Sequence, residues 1–93
     1  MDKYFIYEVL KKTGPVTHEF YCYAIYDTKT RHVISYSKAD TQRAARMKCE
    51  EIISIISLYN ERPVVWRDWP IALWPDELIE EKLIERIRKR EVS

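Results

Sequence analysis

Apolar side chains recur at every second position along residues 4–37 and at every third or fourth along residues 45–59. The first spacing is that of a strand and the second that of a helix. In residues 4–10, Phe5, Tyr7 and Val9 point one way while Tyr4, Ile6 and Leu10, with Glu8, point the other. Residues 11–19 break the alternation around Gly14-Pro15, which marks a loop or hairpin connection. Residues 19–27 form the next strand, with Phe20, Cys22, Ala24 and Tyr26 alternating with Tyr21, Tyr23 and Ile25. The turn Asp27-Thr28-Lys29-Thr30 returns the chain into a third strand over residues 31–37. Connections this short predict a three-stranded antiparallel meander with apolar residues on both faces.

Ser37-Lys38-Ala39-Asp40 fits a capping-box start, and Asp40 is a second candidate for the N-cap. Beyond it Ala45, Cys49, Ile52, Ile56 and Tyr59 form one stripe, widened late by Ile53, Ile55 and Leu58. Asn60 suits the C-cap, and Pro63 prevents continuation. Val64-Val65-Trp66 then reads as a short fourth strand, parallel to and beside the first, because a strand-helix-strand crossover favours that pairing. Residues 68–75 read as an aromatic loop bounded by Pro70 and Pro75. A last helix opens at Pro75-Asp76-Glu77 and runs to about Arg90, with acids early, bases late and a narrow apolar face of Ile79, Leu83 and Ile87. The expected fold is a single α+β domain over residues 1–93, ordered β-β-β-α-β-α, whose narrow last helix leaves one sheet face short of cover.

Composition removes several functions. One glycine, Gly14, cannot build a phosphate-cradling loop, and neither GxGxxG nor the P-loop pattern occurs. So few glycines also mean few left-handed backbone positions, with Asn60 and Asp27 as candidates to fill them. Two cysteines, Cys22 and Cys49, sit in apolar patterns without metal-ligand spacing and read as buried free thiols in a reducing compartment. The opening apolar run is broken by Glu8, which predicts neither a secretion signal nor a membrane span. A cytoplasmic protein without cofactor or metal is the expectation. His18 and His32 lie in separate segments and read as strand-edge or surface residues.

The element order resembles the first part of the ribonuclease H-like fold. That resemblance implies carboxylates gathered around divalent metals from the first strand, first helix and fourth strand, which here are Glu8, Glu50 or Glu51, and Asp68. The helix start reads Thr41-Gln42-Arg43-Ala44-Ala45-Arg46 where that family carries a glutamate, and Glu8 stands in place of an aspartate. The meander and helix are also similar to the truncated version of the fold in HicB-type antitoxins, whose helix follows a short Asp/Thr turn like Ala39-Asp40-Thr41. A double-stranded-RNA-binding domain shares the meander-then-helix order but needs a preceding helix, which is missing here. Element order alone does not specify function.

Net charge is +1, so no global field draws in nucleic acid. A local edge of Lys38, Arg43, Arg46 and Lys48, joined by Lys29 and Arg31 at the hairpin tip, is a candidate phosphate contact. The bases of residues 86–90 read as complement to the helix dipole. Seven tyrosines and three tryptophans exceed what one thin core encloses, and they point to a protein interface with Tyr21, Tyr23, Trp69 and Trp74 as contacts. The preferred reading is therefore a small non-enzymatic binding or regulatory protein, most simply a homodimer. High charge, scarce glycine and abundant Ile and Tyr resemble small proteins of hyperthermophilic archaea and their viruses, which implies a modulator of a host factor. The alternatives are a nucleic-acid-binding module using the basic edge and a degenerate ribonuclease H-like nuclease.

Overall fold

The computed structural model describes residues 2–91. Its elements are β1 (Tyr4–Lys12), β2 (His18–Asp27), β3 (His32–Ser37), α1 (Gln42–Tyr59), β4 (Val64–Trp66), β5 (Ile71–Leu73), a 3-10 turn (Pro75–Glu77) and α2 (Glu80–Glu91). The α+β architecture and the antiparallel meander β1-β2-β3 are as the alternation predicts. The sheet order is β3-β2-β1-β4, and β4 pairs parallel with Tyr4–Ile6 of β1. Among the described residues no helix is long and apolar enough to cross a membrane.

Three local features depart from the sequence pattern. Ile71–Leu73 forms a strand, β5, that pairs parallel with Val9–Lys11 on the same side of β1 as β4. A three-residue parallel strand set between Pro70 and Pro75 has no local turn partner to announce it, yet Ile71 and Leu73 are each 1% exposed. The β1–β2 register also shifts between Val9 and Leu10, so Tyr21 is the extra residue of a bulge. Beyond it Phe20 joins Tyr23 on one face, whereas strict alternation puts it with Cys22. The helix starts change too. Thr41 is the N-cap of α1, its hydroxyl accepting from the Ala44 N–H at 3.1 Å, while Ser37 Oγ donates to Ala45 O at 2.6 Å. At the far end, residues 75–77 make a separate turn before α2 begins.

The left-handed backbone position falls on neither Asn60 nor Asp27. Asn60 caps α1 in an extended conformation, and among the described residues Arg31 is the non-glycine residue with positive φ, 62°, at the end of the β2–β3 turn. Its N–H donates to Asp27 O at 2.8 Å and closes the hairpin.

Helices cover both sheet faces. Tyr4, Ile6, Tyr23 and Ile25 pack under Ala45 and Cys49 of α1. Phe5, Tyr7, Val9, Cys22, Ala24 and Tyr26 pack with Ile71, Leu73 and the Leu83–Ile87 pair of α2. The expected shortage of cover is thus absent from the centre of the sheet. The narrow stripe of α2 suffices because β5 and the 78–79 linker extend the layer.

One ion pair ties the layers at an end of the sheet. Arg62, between α1 and β4, grips both oxygens of Asp27 at 2.8 and 3.1 Å, donates to Tyr4 Oη and stacks 4.1 Å from the Tyr4 ring centre. The guanidinium, with further N–H donors from the hairpin turn, holds the Asp27 carboxyl below the usual carboxylate range. The folded state thus favours ionised Asp27, a stabilisation present above the unfolded carboxyl range near about pH 4 and lost as pH falls through the lowered folded value. Arg62→Met should destabilise the fold by about 2 kcal/mol, between the worth of exposed and buried pairs. Urea unfolding at pH 7 and at successively lower pH would show the variant losing less further stability in acid than the parent; equal acid slopes would refute this account of the pair.

Candidate functional site

The two edges of the sheet are built differently. On the far side of β1 the edge is broken into β4 and β5, three residues each, with Pro63 and Pro70 immediately before the two strands or their joining loop. Proline and interruption are the devices that keep an edge from pairing with another chain. The β3 edge carries neither. It is six residues long and free of proline, lysine, arginine and carboxylates, with His32 at its first position and a bulge at Ile34. Ile34 and Tyr36 are 43% and 42% exposed. Glu80 of α2 shields only the start of this edge, where its Oε1 accepts from the Val33 N–H at 3.1 Å and lies 3.4 Å from His32 Nδ1.

Beside β3 lies a hollow of about 540 Å³ lined by Tyr21, Tyr36, Leu78 and Ile79, with Lys38, Lys48 and Glu80 at its rim. Tyr21 reaches it through the β2 bulge, which turns two successive side chains, Tyr21 and Cys22, towards the α2 face. Ile79 is 52% exposed at the start of α2. Partial burial and the nearby Glu80 carboxylate push the Tyr36 hydroxyl up to about 12, so it stays a neutral hydrogen-bond donor. Lys38 folds back over Tyr21, 4.0 Å from the ring centre, and donates to its hydroxyl. The result is an apolar surface of Tyr21, Tyr36, Leu78 and Ile79 next to the outer strand.

The other aromatic candidates sit elsewhere. Tyr23 is buried under α1, its ring 5.1 Å from Phe20 and 5.6 Å from Trp66, and its hydroxyl accepts from Gln42 Nε2 at 3.0 Å. Trp69 packs 5.5 Å from Tyr7 with the Arg67 and Arg90 guanidinium groups over its faces. Trp74 is 40% exposed and carries Lys12 over its ring. Of the four, Tyr21 belongs to the β3 surface. Ile34, Tyr36 and Ile79 were hidden from sequence reasoning because exposure depends on which strand ends up at the edge.

The basic residues divide into two groups. Lys38, Arg43 and Arg46 lie where β3 ends and α1 begins; Lys29 and Arg31 lie where β3 starts. Six residues of strand, roughly 20 Å, separate them. Arg46 is further occupied by Glu50 at 3.4 Å and by Trp66, 4.2 Å from its ring centre. No single phosphate-binding edge assembles from the five. Glu8 accepts from Gln42 Nε2 at 2.8 Å, and it forms no metal-holding group with Glu50, Glu51 and Asp68. The described residues contain no group of three His, Cys, Asp or Glu side chains placed to hold a metal ion.

Cys22 and Cys49 lie in opposite core layers, 1% and 0% exposed. Burial pushes their thiols up to about 12 and about 11. Thiolate is the reactive form, so both thiols should resist an aromatic disulfide reagent at pH 8 in native protein and react within the mixing time in denaturant. Rapid stoichiometric labelling of folded protein would contradict this. Comparison with protein-family models, curated proteins and solved structures finds no match for this chain.

Proposed function

We propose that this chain is a non-enzymatic binding protein that works by strand pairing along β3, most simply with a second copy of itself. The contrast between the two sheet edges carries this reading. One edge is cut into three-residue pieces by proline-bounded loops, and the other offers a six-residue strand without proline, bulged at Ile34, with Ile34 and Tyr36 exposed. Antiparallel pairing of β3 with β3 of a second copy is self-complementary, and that satisfies the symmetry of a two-fold dimer. It joins two four-strand paths into one sheet and gives the outward backbone groups of β3 partners.

A strand pair alone covers less than the roughly 1,000 Å² that a stable interface needs. The hollow of Tyr21, Tyr36, Leu78 and Ile79 supplies the additional apolar area, and its tyrosines suit a surface that is alternately wet and covered. A regulatory role follows when the same edge accepts a strand from a different protein, by the same main-chain chemistry. The separated basic groups give the nucleic-acid alternative less support than the edge gives this one.

Sedimentation velocity over a concentration series should show self-association of the parent protein. Ile34→Asp, which places a charge on an exposed strand position, should give a monomer with an unchanged far-ultraviolet spectrum and a thermal midpoint within a few degrees. A parent protein that stays monomeric to its solubility limit would remove the homodimer, and association unaffected by Ile34→Asp would move the interface away from β3.

A further inference from the structure

Leu58 and Tyr59 of α1 are 80% and 85% exposed, and Met47 and Ile55 are more than half exposed. Single apolar residues are ordinary on a surface, but these four share one part of a helix. The stripe that packs on the sheet runs through Ala45, Cys49, Ile52 and Ile56. Ala44, Lys48, Glu51 and Ile55 precede those residues by one each, so they form a second stripe turned about 100° from the first. Leu58 continues it, with Met47 and Tyr59 at its borders.

Two contacts give the direction of this stripe. Arg46, one residue after Ala45, lies over the Trp66 ring of β4. Lys48, one residue before Cys49, borders the hollow beside β3 together with Tyr36. The second stripe therefore faces the β3 side of the sheet, because β3 and β4 stand at opposite ends of the strand order. α1 itself lies over β2 and β3, and the Ser37–Ala45 hydrogen bond ties its first turn to the end of β3.

Strand pairing as proposed above, on which this inference rests, puts a two-fold axis beside β3 and perpendicular to the sheet. Both copies of α1 then lie on the same face and run antiparallel. Strands about 4.8 Å apart place that axis about 2.4 Å outside β3, and a helix over the gap between β2 and β3 is about 4.8 Å from it. The two helix axes are thus about 10 Å apart, at the upper end of the roughly 8–10 Å of packed helices. The levels agree as well. α1 runs back along β3 from the Ser37–Ala45 contact, and two strand residues span about as much length as four helical ones, so Ser35 in the middle of β3 is level with Cys49. Lys48 and Glu51 flank that level. Antiparallel copies accordingly set Lys48 of each against Glu51 of the other. We infer that a second copy docks on α1 as well as on β3, with Ile55, Leu58 and their counterparts forming a helix layer over the joined sheet. That layer adds apolar area to a strand pair that alone falls short of the roughly 1,000 Å² of a stable interface.

Sedimentation equilibrium of the whole chain tests this, with Ile34→Asp run beside variants of α1. Leu58→Asp alters a side chain that the fold leaves bare, so its helical spectrum and thermal midpoint should hold while the dissociation constant rises at least about tenfold. Lys48→Glu and Glu51→Lys should each weaken association about fivefold, because two attractions become two repulsions. Combining the two swaps restores opposite signs across the copies and should bring the constant back to within about twofold of the parent. If Ile34→Asp gives a monomer while Leu58→Asp and the charge swaps keep the parent constant, strand pairing stands, α1 belongs to another occupant and this inference is overturned. If Leu58→Asp dissociates the protein and Ile34→Asp does not, strand pairing fails and the two-layer arrangement fails with it. A monomeric parent removes both.

Discussion

Everything in this fold depends on β1 being paired on both edges and covered on both faces. Its residues 4–10 have no solvent side: β2 lies along one edge, β4 and β5 along the other, and a helix lies over each face. A strand so placed must be apolar at nearly every position, and Tyr4, Phe5, Ile6, Tyr7, Val9 and Leu10 are all buried. The exception, Glu8, is half-buried and answered by Gln42 from the first turn of α1. Tyr7 shows what the constraint demands of a polar atom. Its ring is fully enclosed, and its hydroxyl is satisfied only because Glu91 reaches it from the end of α2. Burial and that carboxylate both keep the phenol protonated.

Arginine replaces glycine-rich tight turns in closing the broken edge. The loops around β4 and β5 are held by stacked guanidinium groups: Arg62 on Tyr4, Arg67 between Phe5 and Trp69, Arg90 on Trp69 and Arg46 on Trp66. A guanidinium is weakly hydrated and planar, so it covers an aromatic face while still bonding a carboxylate in its plane. This explains why a thin core can carry so many aromatic residues without leaving them bare. Trp69 is absorbed in that way; Tyr23 packs edge-on against Trp66, whose ring Arg46 covers, and the Lys12 ammonium lies over Trp74.

The order of elements through β4 was legible in the sequence because period and breakers change together: alternation to Ser37, helical spacing from Ala45, and Pro63 between α1 and β4. What escaped was non-local. β5 is identified by its partner, since Ile71-Ala72-Leu73 has strand meaning only when Val9–Lys11 lies beside it. The bulge at Tyr21 leaves no mark on the pattern, yet it decides which face Phe20 and Tyr21 occupy. Arg31 shows the limit of residue preference at a turn: glycine or asparagine is favoured at positive φ, and the chain places arginine there. Candidate contacts inferred from residue type alone were therefore divided by topology, with Tyr21 left at the surface and Tyr23 enclosed.

In a domain this small, function has to come from groups that folding leaves unsatisfied. Much of the chain has few to offer: most of its aromatic rings are stacked, its thiols are buried and protonated, and four of its eight arginines hold a carboxylate. β3 stands apart: it keeps an outward backbone edge next to exposed Ile34 and Tyr36, on the side of the sheet away from the proline-bounded β4–β5 edge. The prolines and the division that seal that edge are absent from β3, whose departure from regular pairing is the bulge at Ile34, and the proposed strand pairing rests on this asymmetry.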